Sequence, residues 1–223
     1  VTAQRILIAP SVVCADLARL GEEADRLQAA GADWLHFDCM DGHFVPPLTF
    51  GPPLLQCLRS RSHLYFHAHL MIEHPERQVD AFLRAGANLI TFHREAGPDP
   101  TPLLQQIRAA GCDSGLAYNP DTPLDDLAQC LPLMDSLLIM SVHPGWSGQE
   151  FLAEAVARIR QARALIDAAG LPVRIMVDGG INEETAPQVI AAGATVLVSG
   201  SYLFSHPAGL AATMALLRGE SPA

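Results

Sequence analysis

Short apolar runs, each followed by a longer segment of helical periodicity, repeat along this 223-residue sequence and constrain its fold more than any other feature. The apolar runs lie at residues 6–9, 34–38, 65–69, 89–93, 114–118, 137–141, 174–178 and 195–199, and their length predicts strands. Helical stretches lie between them at 16–30, 75–85, 101–110, 151–169 and 183–192. Several close on Ala-Ala-Gly or Ala-Gly-Ala, at Gly31, Gly86, Gly111, Gly170 and Gly193. A glycine there can turn left-handed and stop the helix before the next strand begins. Eight such units in a chain of this length read as a (β/α)₈ TIM barrel, an α/β fold in a single domain over residues 1–223. The competing fold, an open doubly wound sheet, normally carries a glycine-rich turn after its first strand. That turn here is Pro10-Ser11-Val12-Val13, which favours the barrel. The tail from Arg218 is expected to fray and to be functionally silent.

Composition narrows the chemistry. No lysine occurs, so every basic side chain among the 14 is an arginine. Schiff-base aldolases, pyridoxal-phosphate enzymes, P-loop nucleotide binders and barrel decarboxylases with an Asp-x-Lys-x-x-Asp array all need an amine that is missing here. A net charge of −10 repels nucleic acid and anionic membranes. With 49% hydrophobic residues the chain can bury a sizeable core, yet no apolar run approaches the roughly 20 residues that span a bilayer. Five scattered cysteines without a CxxC suit reduced thiols in a cytoplasmic setting. The opening Val1-Thr2-Ala3-Gln4-Arg5 lacks a signal-peptide layout, and a start at Val rather than Met leaves an earlier segment open.

In a barrel of this kind chemistry belongs to the C-terminal ends of the strands and the loops beyond them. Polar residues cluster there. His36, Asp38 and Met40 alternate with Leu35, Phe37 and Cys39, so a period of two places them on one face. The third strand carries His67, His69 and Met71 on one face; the seventh ends at Asp178 and the first at Ser11. Taken singly, a strand-end Asp is more often a cap and a lone His more often a satisfied core residue. Two imidazoles and two carboxylates from three converging strands instead form a site for one divalent metal, with mixed N/O ligands suiting Zn²⁺, Fe²⁺, Mn²⁺ or Co²⁺. A second group follows strands six to eight: Gly145-Trp146-Ser147-Gly148, then Gly179-Gly180, then Gly200-Ser201. Small residues let backbone N–H groups approach a phosphate, and a short helix from Ser201 would add its positive end.

These segments carry a resemblance. Ile8-Ala9-Pro10-Ser11, the run from His36 through Asp38-Cys39-Met40-Asp41-Gly42 to Pro46, His69-Leu70-Met71, Val177-Asp178-Gly179-Gly180 and Gly200-Ser201 are similar to the signatures of the ribulose-phosphate 3-epimerase family, in matching order and spacing. The resemblance implies that Asp38 and Asp178 are the acid/base pair, and that His36, Asp38, His69 and Asp178 hold the metal. It further implies that Ser11, His69, Gly145, Trp146, Ser147, Gly148, Gly179, Gly180, Gly200 and Ser201 contact substrate. Met40, Met71 and Met140 match methionines lining the intermediate, although barrel filling explains each alone equally well. The implied reaction is epimerisation at carbon 3 of a ketose phosphate, through an enediolate, with D-ribulose 5-phosphate favoured and allulose 6-phosphate the alternative. A metal-dependent hydrolase or lyase, and a non-catalytic phospho-sugar-binding barrel, are the other classes. The expected partners are a sugar phosphate and further copies of the chain.

Several positions depart from the family pattern. His67 stands where many relatives have Asp, Pro47 replaces an Asn, Cys14 a Ser, and His143-Pro-Gly-Trp-Ser-Gly differs from the usual loop. For His67 the expectation is a supporting role beneath the metal ligands, bonding to His69 or another ligand, with a neutral core histidine as the alternative.

Overall fold

In the computed structural model, which describes residues 5–220, the period-two segments become β1 (Leu7–Pro10), β2 (Trp34–Met40), β3 (Tyr65–Met71), β4 (Leu89–His93), β5 (Asp113–Tyr118), β6 (Ser136–Met140), β7 (Arg174–Asp178) and β8 (Val196–Ser199). Helices follow them: α1 (Leu20–Ala29), α2 (Pro52–Arg59), α3 (Val79–Arg84), α4 (Thr101–Ala109), α5 (Leu127–Cys130), α6 (Glu154–Ala169), α7 (Ala186–Ala192), then α8 (Ser201–Ser205) and α9 (Leu210–Arg218). All strand pairs are parallel, in the order β1-β8-β7-β6-β5-β4-β3-β2. The seam between β1 and β2 is closed by a parallel bridge from Ser11 to His36. It is reinforced where Asp33 N–H donates to the Ile8 carbonyl at 3.1 Å. The expected (β/α)₈ barrel is therefore the observed fold.

Alternation along each strand sorts the side chains into two cores. Leu35, Phe37, Phe66, Ile90, Leu116, Leu137, Ile175 and Leu197 point outward and meet the helices. Ala9, Trp34, Leu89, Leu138, Met176, Val196 and Val198 point inward and fill the barrel. The β2–β3 register stacks the inward residues in layers: Trp34 opposite Tyr65, His36 opposite His67, Asp38 opposite His69, Met40 opposite Met71. Trp34 and Tyr65 form the aromatic floor, with ring centroids 4.6 Å apart. The polar layers thus lie between the aromatic floor and a methionine pair at the C-terminal mouth.

The helix-stopping glycines behave as their sequence context predicts. Gly31, Gly86, Gly111, Gly170 and Gly193 all have positive φ. Four helices start later than expected; α1 and α3 each follow a short 3₁₀ turn, Leu17–Arg19 and Pro75–Arg77, and begin at Leu20 and Val79. The Leu152 N–H is spent on the Ser141 carbonyl at 2.9 Å, so α6 begins at Glu154. The Asn182 carboxamide oxygen takes the N–H groups of Glu184 and Thr185 at 2.8 and 3.0 Å, and α7 begins at Ala186. The segments that form α2, α5 and α9 have too little helical periodicity, or too many prolines, to stand out in the sequence.

The described chain remains helical through Arg218. That residue ends α9, and its guanidinium donates to Asp33 Oδ2 at 2.8 Å and to the Gly31 carbonyl at 2.9 Å, tying the last helix to the barrel base. The Glu220 N–H still closes on the Ala215 carbonyl at 2.9 Å. Val1 to Gln4, read above for a signal-peptide layout, and Ser221 to Ala223, the end of the tail, lie outside the described residues.

Candidate active site

The two layers above the aromatic floor bring the four expected ligands together. His36 Nε2 lies 3.0 Å from Asp38 Oδ1 and 3.4 Å from Asp178 Oδ2. His69 Nδ1 lies 3.0 and 3.7 Å from the same two oxygens. One ligand atom from each of the four residues falls within 4.8 Å of all the others, and no other such cluster occurs among the described residues. The carboxylates arrive from β2 and β7, three strands apart around the barrel by way of β8 and β1.

Local hydrogen bonds hold the Asp38 carboxylate and the backbone of both aspartates in place. The Ser11 hydroxyl donates to Asp38 Oδ2. Thr49 donates its hydroxyl to the Asp38 carbonyl at 2.6 Å and accepts the Met40 N–H at 2.9 Å, fixing the end of β2. The Ser141 hydroxyl and N–H both donate to the Asp178 carbonyl, at 2.9 and 2.8 Å.

The electrostatics call for a positive charge at the centre. Burial opposes the charged form of His36, yet the Asp38 and Asp178 carboxylates overcome it and push its pKa up to about 10. Burial would likewise raise Asp38, but His36 and His69 hold it well below the usual carboxylate range. Two carboxylates in so dry a place need a cation, and in the metal-free protein a proton on His36 serves as one. Two imidazole nitrogens and two carboxylate oxygens are donors that a borderline divalent ion prefers, so the residues fit one metal.

Above the quartet opens a cavity of about 320 Å³. Its wall contains every remaining residue expected to meet substrate except His69, which lies fully buried beneath it: Ser11, Met40, Met71, Met140, Gly145, Trp146, Ser147, Gly148, Gly179, Gly180, Gly200 and Ser201. Trp146, 64% exposed, stands on the rim. Gly179 and Gly180 have φ of +118° and +63°. A Cβ at Gly179 would come within 2.5 Å of Val142, and one at Gly180 within 2.7 Å of the Phe151 nitrogen. Only glycine allows this turn at the cavity wall. The short helix expected from Ser201 is present as α8. Cys14 also lines the cavity, and burial raises its thiol pKa above the ordinary value.

Sequence reasoning missed Thr91, His93 and Glu95. The His67 imidazole joins His36 and Thr91, with His67 Nδ1 2.9 Å from His36 Nδ1 and His67 Nε2 2.9 Å from Thr91 Oγ1. His93 joins His69 to Glu95, at 2.9 Å between the two Nε2 atoms and 3.2 Å from His93 Nδ1 to Glu95 Oε2. Burial lowers His67 well below the ordinary histidine value and His93 to about 4, so both are neutral. Burial alone would raise Glu95, but hydrogen bonds from His93, Thr122 and the Asn119 N–H bring it down to about 2. The available signal was the alternation of Thr91 and His93 with Ile90 and Phe92, the same period that marks the second strand.

A (β/α)₈ barrel with a His–Asp–His–Asp quartet that could hold a metal ion, set below a glycine-lined mouth, has the architecture of an enzyme site. Residues 7–204 match the model of the ribulose-phosphate 3 epimerase family, and the chain belongs to that family. Curated relatives agree. The ribulose-phosphate 3-epimerase of Mycobacterium bovis is 43% identical over 212 residues, covering 95% of this chain and 92% of that protein. That of Rhodobacter capsulatus is 46% identical over 199 residues, covering 89% and 86%. Among solved structures, phosphoribosyl anthranilate isomerase from Thermus thermophilus superposes with a TM-score of 0.66 at 17% identity, over 96% of this chain and 97% of that one. A 3-hexulose-6-phosphate synthase gives 0.64 at 19% identity, over 96% and 98%. At such identities these two share the fold alone. No described helix is long and apolar enough to cross a membrane.

Proposed function

We propose that the protein epimerises a ketose phosphate at carbon 3, with D-ribulose 5-phosphate to D-xylulose 5-phosphate as the principal reaction. Asp38 and Asp178 are the acid/base pair, and His36, Asp38, His69 and Asp178 together hold one divalent cation, Zn²⁺, Fe²⁺, Mn²⁺ or Co²⁺. The observation that carries this reading is the approach of two carboxylates, from β2 and β7, to the same two imidazoles at the floor of one cavity.

Epimerisation next to a ketone removes a proton from one face of the carbon and returns one to the other. Two carboxylates on different sides of the cavity do this, one accepting the proton while the other donates. Ser11 steadies the Asp38 carboxylate, which limits its reorganisation during transfer, and Ser141 fixes the backbone of Asp178. A bound divalent cation supplies the positive charge that offsets negative charge developing on the substrate oxygens. Met40, Met71 and Met140 give the cavity a soft wall without competing proton donors. Gly179, Gly180, Gly200 and Ser201, with the loop from Gly145 to Gly148, receive the phosphate through backbone N–H groups, which is how an acidic chain without lysine can take an anion. All five cysteines are unpaired, in keeping with a cytoplasmic setting.

The test is incubation with ribulose 5-phosphate in D₂O. The expected result is xylulose 5-phosphate carrying deuterium at carbon 3, formed faster than the corresponding exchange on allulose 6-phosphate. Product without deuterium at carbon 3, or no turnover of either sugar, would overturn the proposal.

A further inference from the structure

We infer that the two ligand imidazoles are oriented by relays of unequal charge, and that His67 and Glu95 are positioning residues that set how tightly a divalent cation is kept. The inference rests on the metal-site reading above.

The direction of each relay follows from the nitrogens that face the carboxylates. A neutral imidazole has one lone pair, so ligation through His36 Nε2 leaves the proton on Nδ1, and ligation through His69 Nδ1 leaves it on Nε2. Each of those N–H groups meets another ring nitrogen at 2.9 Å, His67 Nδ1 in one case and His93 Nε2 in the other. Both must accept. Their own protons are then on the far nitrogens: His67 Nε2–H donates to Thr91 Oγ1 at 2.9 Å, and His93 Nδ1–H to Glu95 Oε2 at 3.2 Å.

The two relays end differently. The arm behind His36 stops at a neutral hydroxyl. The arm behind His69 stops at a carboxylate whose other oxygen accepts the Asn119 N–H at 2.9 Å. Hydrogen bonds to an ionised partner are roughly twice as strong as neutral ones, so Glu95 draws proton density along its arm and makes His69 the more electron-rich ligand.

The surroundings are built to keep both arms intact. His36, His67, His69, Thr91 and His93 are all 0% exposed, so water does not compete for these bonds. A Cβ at Gly115 would lie 2.2 Å from Thr91 Oγ1, so the glycine opposite leaves room for the hydroxyl. Phe44, from the segment after β2, packs on His93 with ring centroids 4.8 Å apart. His67 and His93 each have partners at both ring nitrogens, and in each case one of those partners is a ligand imidazole.

The experiment is a Co²⁺ titration of the purified protein against a competing chelator, followed by the visible absorption of the bound ion, with the thermal midpoint of each metal-free variant measured alongside. Glu95→Gln and His67→Leu should each weaken Co²⁺ binding by about 10–100-fold. His67→Asn, which can still accept from His36, should lose less than His67→Leu. Thr91→Val, at the neutral end, should lose less than Glu95→Gln. Affinities within twofold of wild type in both Glu95→Gln and His67→Leu overturn the inference while leaving the metal site standing. Equal losses in Thr91→Val and Glu95→Gln overturn the inequality of charge. Wild-type protein that binds no Co²⁺ overturns the metal reading and this inference together.

Discussion

Ser11 donates its hydroxyl proton to Oδ2 of Asp38, and this leaves Oδ1 to face His36 and His69, each at 3.0 Å. One carboxylate therefore has its two oxygens assigned to different partners, which fixes its plane before any substrate arrives. Asp38→Asn and Asp178→Asn keep the shape of these groups and remove their capacity to carry a proton. Each should lower the epimerisation rate by roughly 10²-fold or more. Steady-state kinetics on ribulose 5-phosphate checks this, and near wild-type turnover in either variant rules out a two-carboxylate mechanism.

Removing the cation tests the centre as a whole. Exhaustive chelation should abolish turnover, and adding back Zn²⁺, Fe²⁺, Mn²⁺ or Co²⁺ should restore it. The metal content of the assayed protein is verified by elemental analysis. Full activity in protein shown to be metal-free would contradict the assignment of His36, Asp38, His69 and Asp178.

Gly180 tests the anion end. Its φ of +63° disfavours any side chain, and an added Cβ would lie 2.7 Å from the Phe151 nitrogen, which is backbone and cannot step aside. Gly180→Ala should cost about 1–3 kcal/mol of stability and raise KM for the sugar phosphate more than it lowers kcat. Denaturant titration and kinetics read the two effects separately; an unchanged KM would remove Gly180 from the phosphate site.

Glu95 predicts a pH dependence. Its carboxyl titrates at about 2 in the folded metal-free protein, below the ordinary 4.5. A depressed pKa contributes stability that is fully present above the unfolded value and is lost as pH falls through the folded one. The contribution is on the order of 3 kcal/mol. Wild-type protein should therefore lose more stability than Glu95→Gln as pH falls from 5 toward 2, as followed by urea unfolding. Parallel pH profiles for the two proteins would exclude the effect.

Arg218 gives a prediction away from the site. Its guanidinium and Asp33 are 9% and 10% exposed, and Asp33 also accepts the Ile8 N–H at 2.9 Å beside the β1–β2 seam. Arg218→Ala should destabilise the protein by about 1–3 kcal/mol, the usual cost of leaving a buried polar group short of a partner. Equilibrium unfolding measures it, and a change below about 0.5 kcal/mol, the scale of an ordinary surface substitution, would show that the last helix does not depend on this pair.

The barrel and its reactive end were legible in the sequence because both are written in short-range order. A period of two puts His36, Asp38 and Met40 on one face without reference to any other strand, and Ala-Ala-Gly or Ala-Gly-Ala marks where a helix must stop. The quartet could be named from strand ends alone, since parallel strands in a barrel bring all such ends to one mouth. What surrounds the quartet was not legible in that way. Whether His67 serves His36 or His69 depends on the β2–β3 register, which places His67 opposite His36 and joins their Nδ1 atoms. That His93 and Glu95 support His69 depends on β4 lying beside β3, and the anchoring of Arg218 on Asp33 joins residues 185 positions apart. Periodicity decides which way a side chain points. Only closure of the barrel decides which side chain it meets, because a hydrogen bond depends on distances that strand pairing sets.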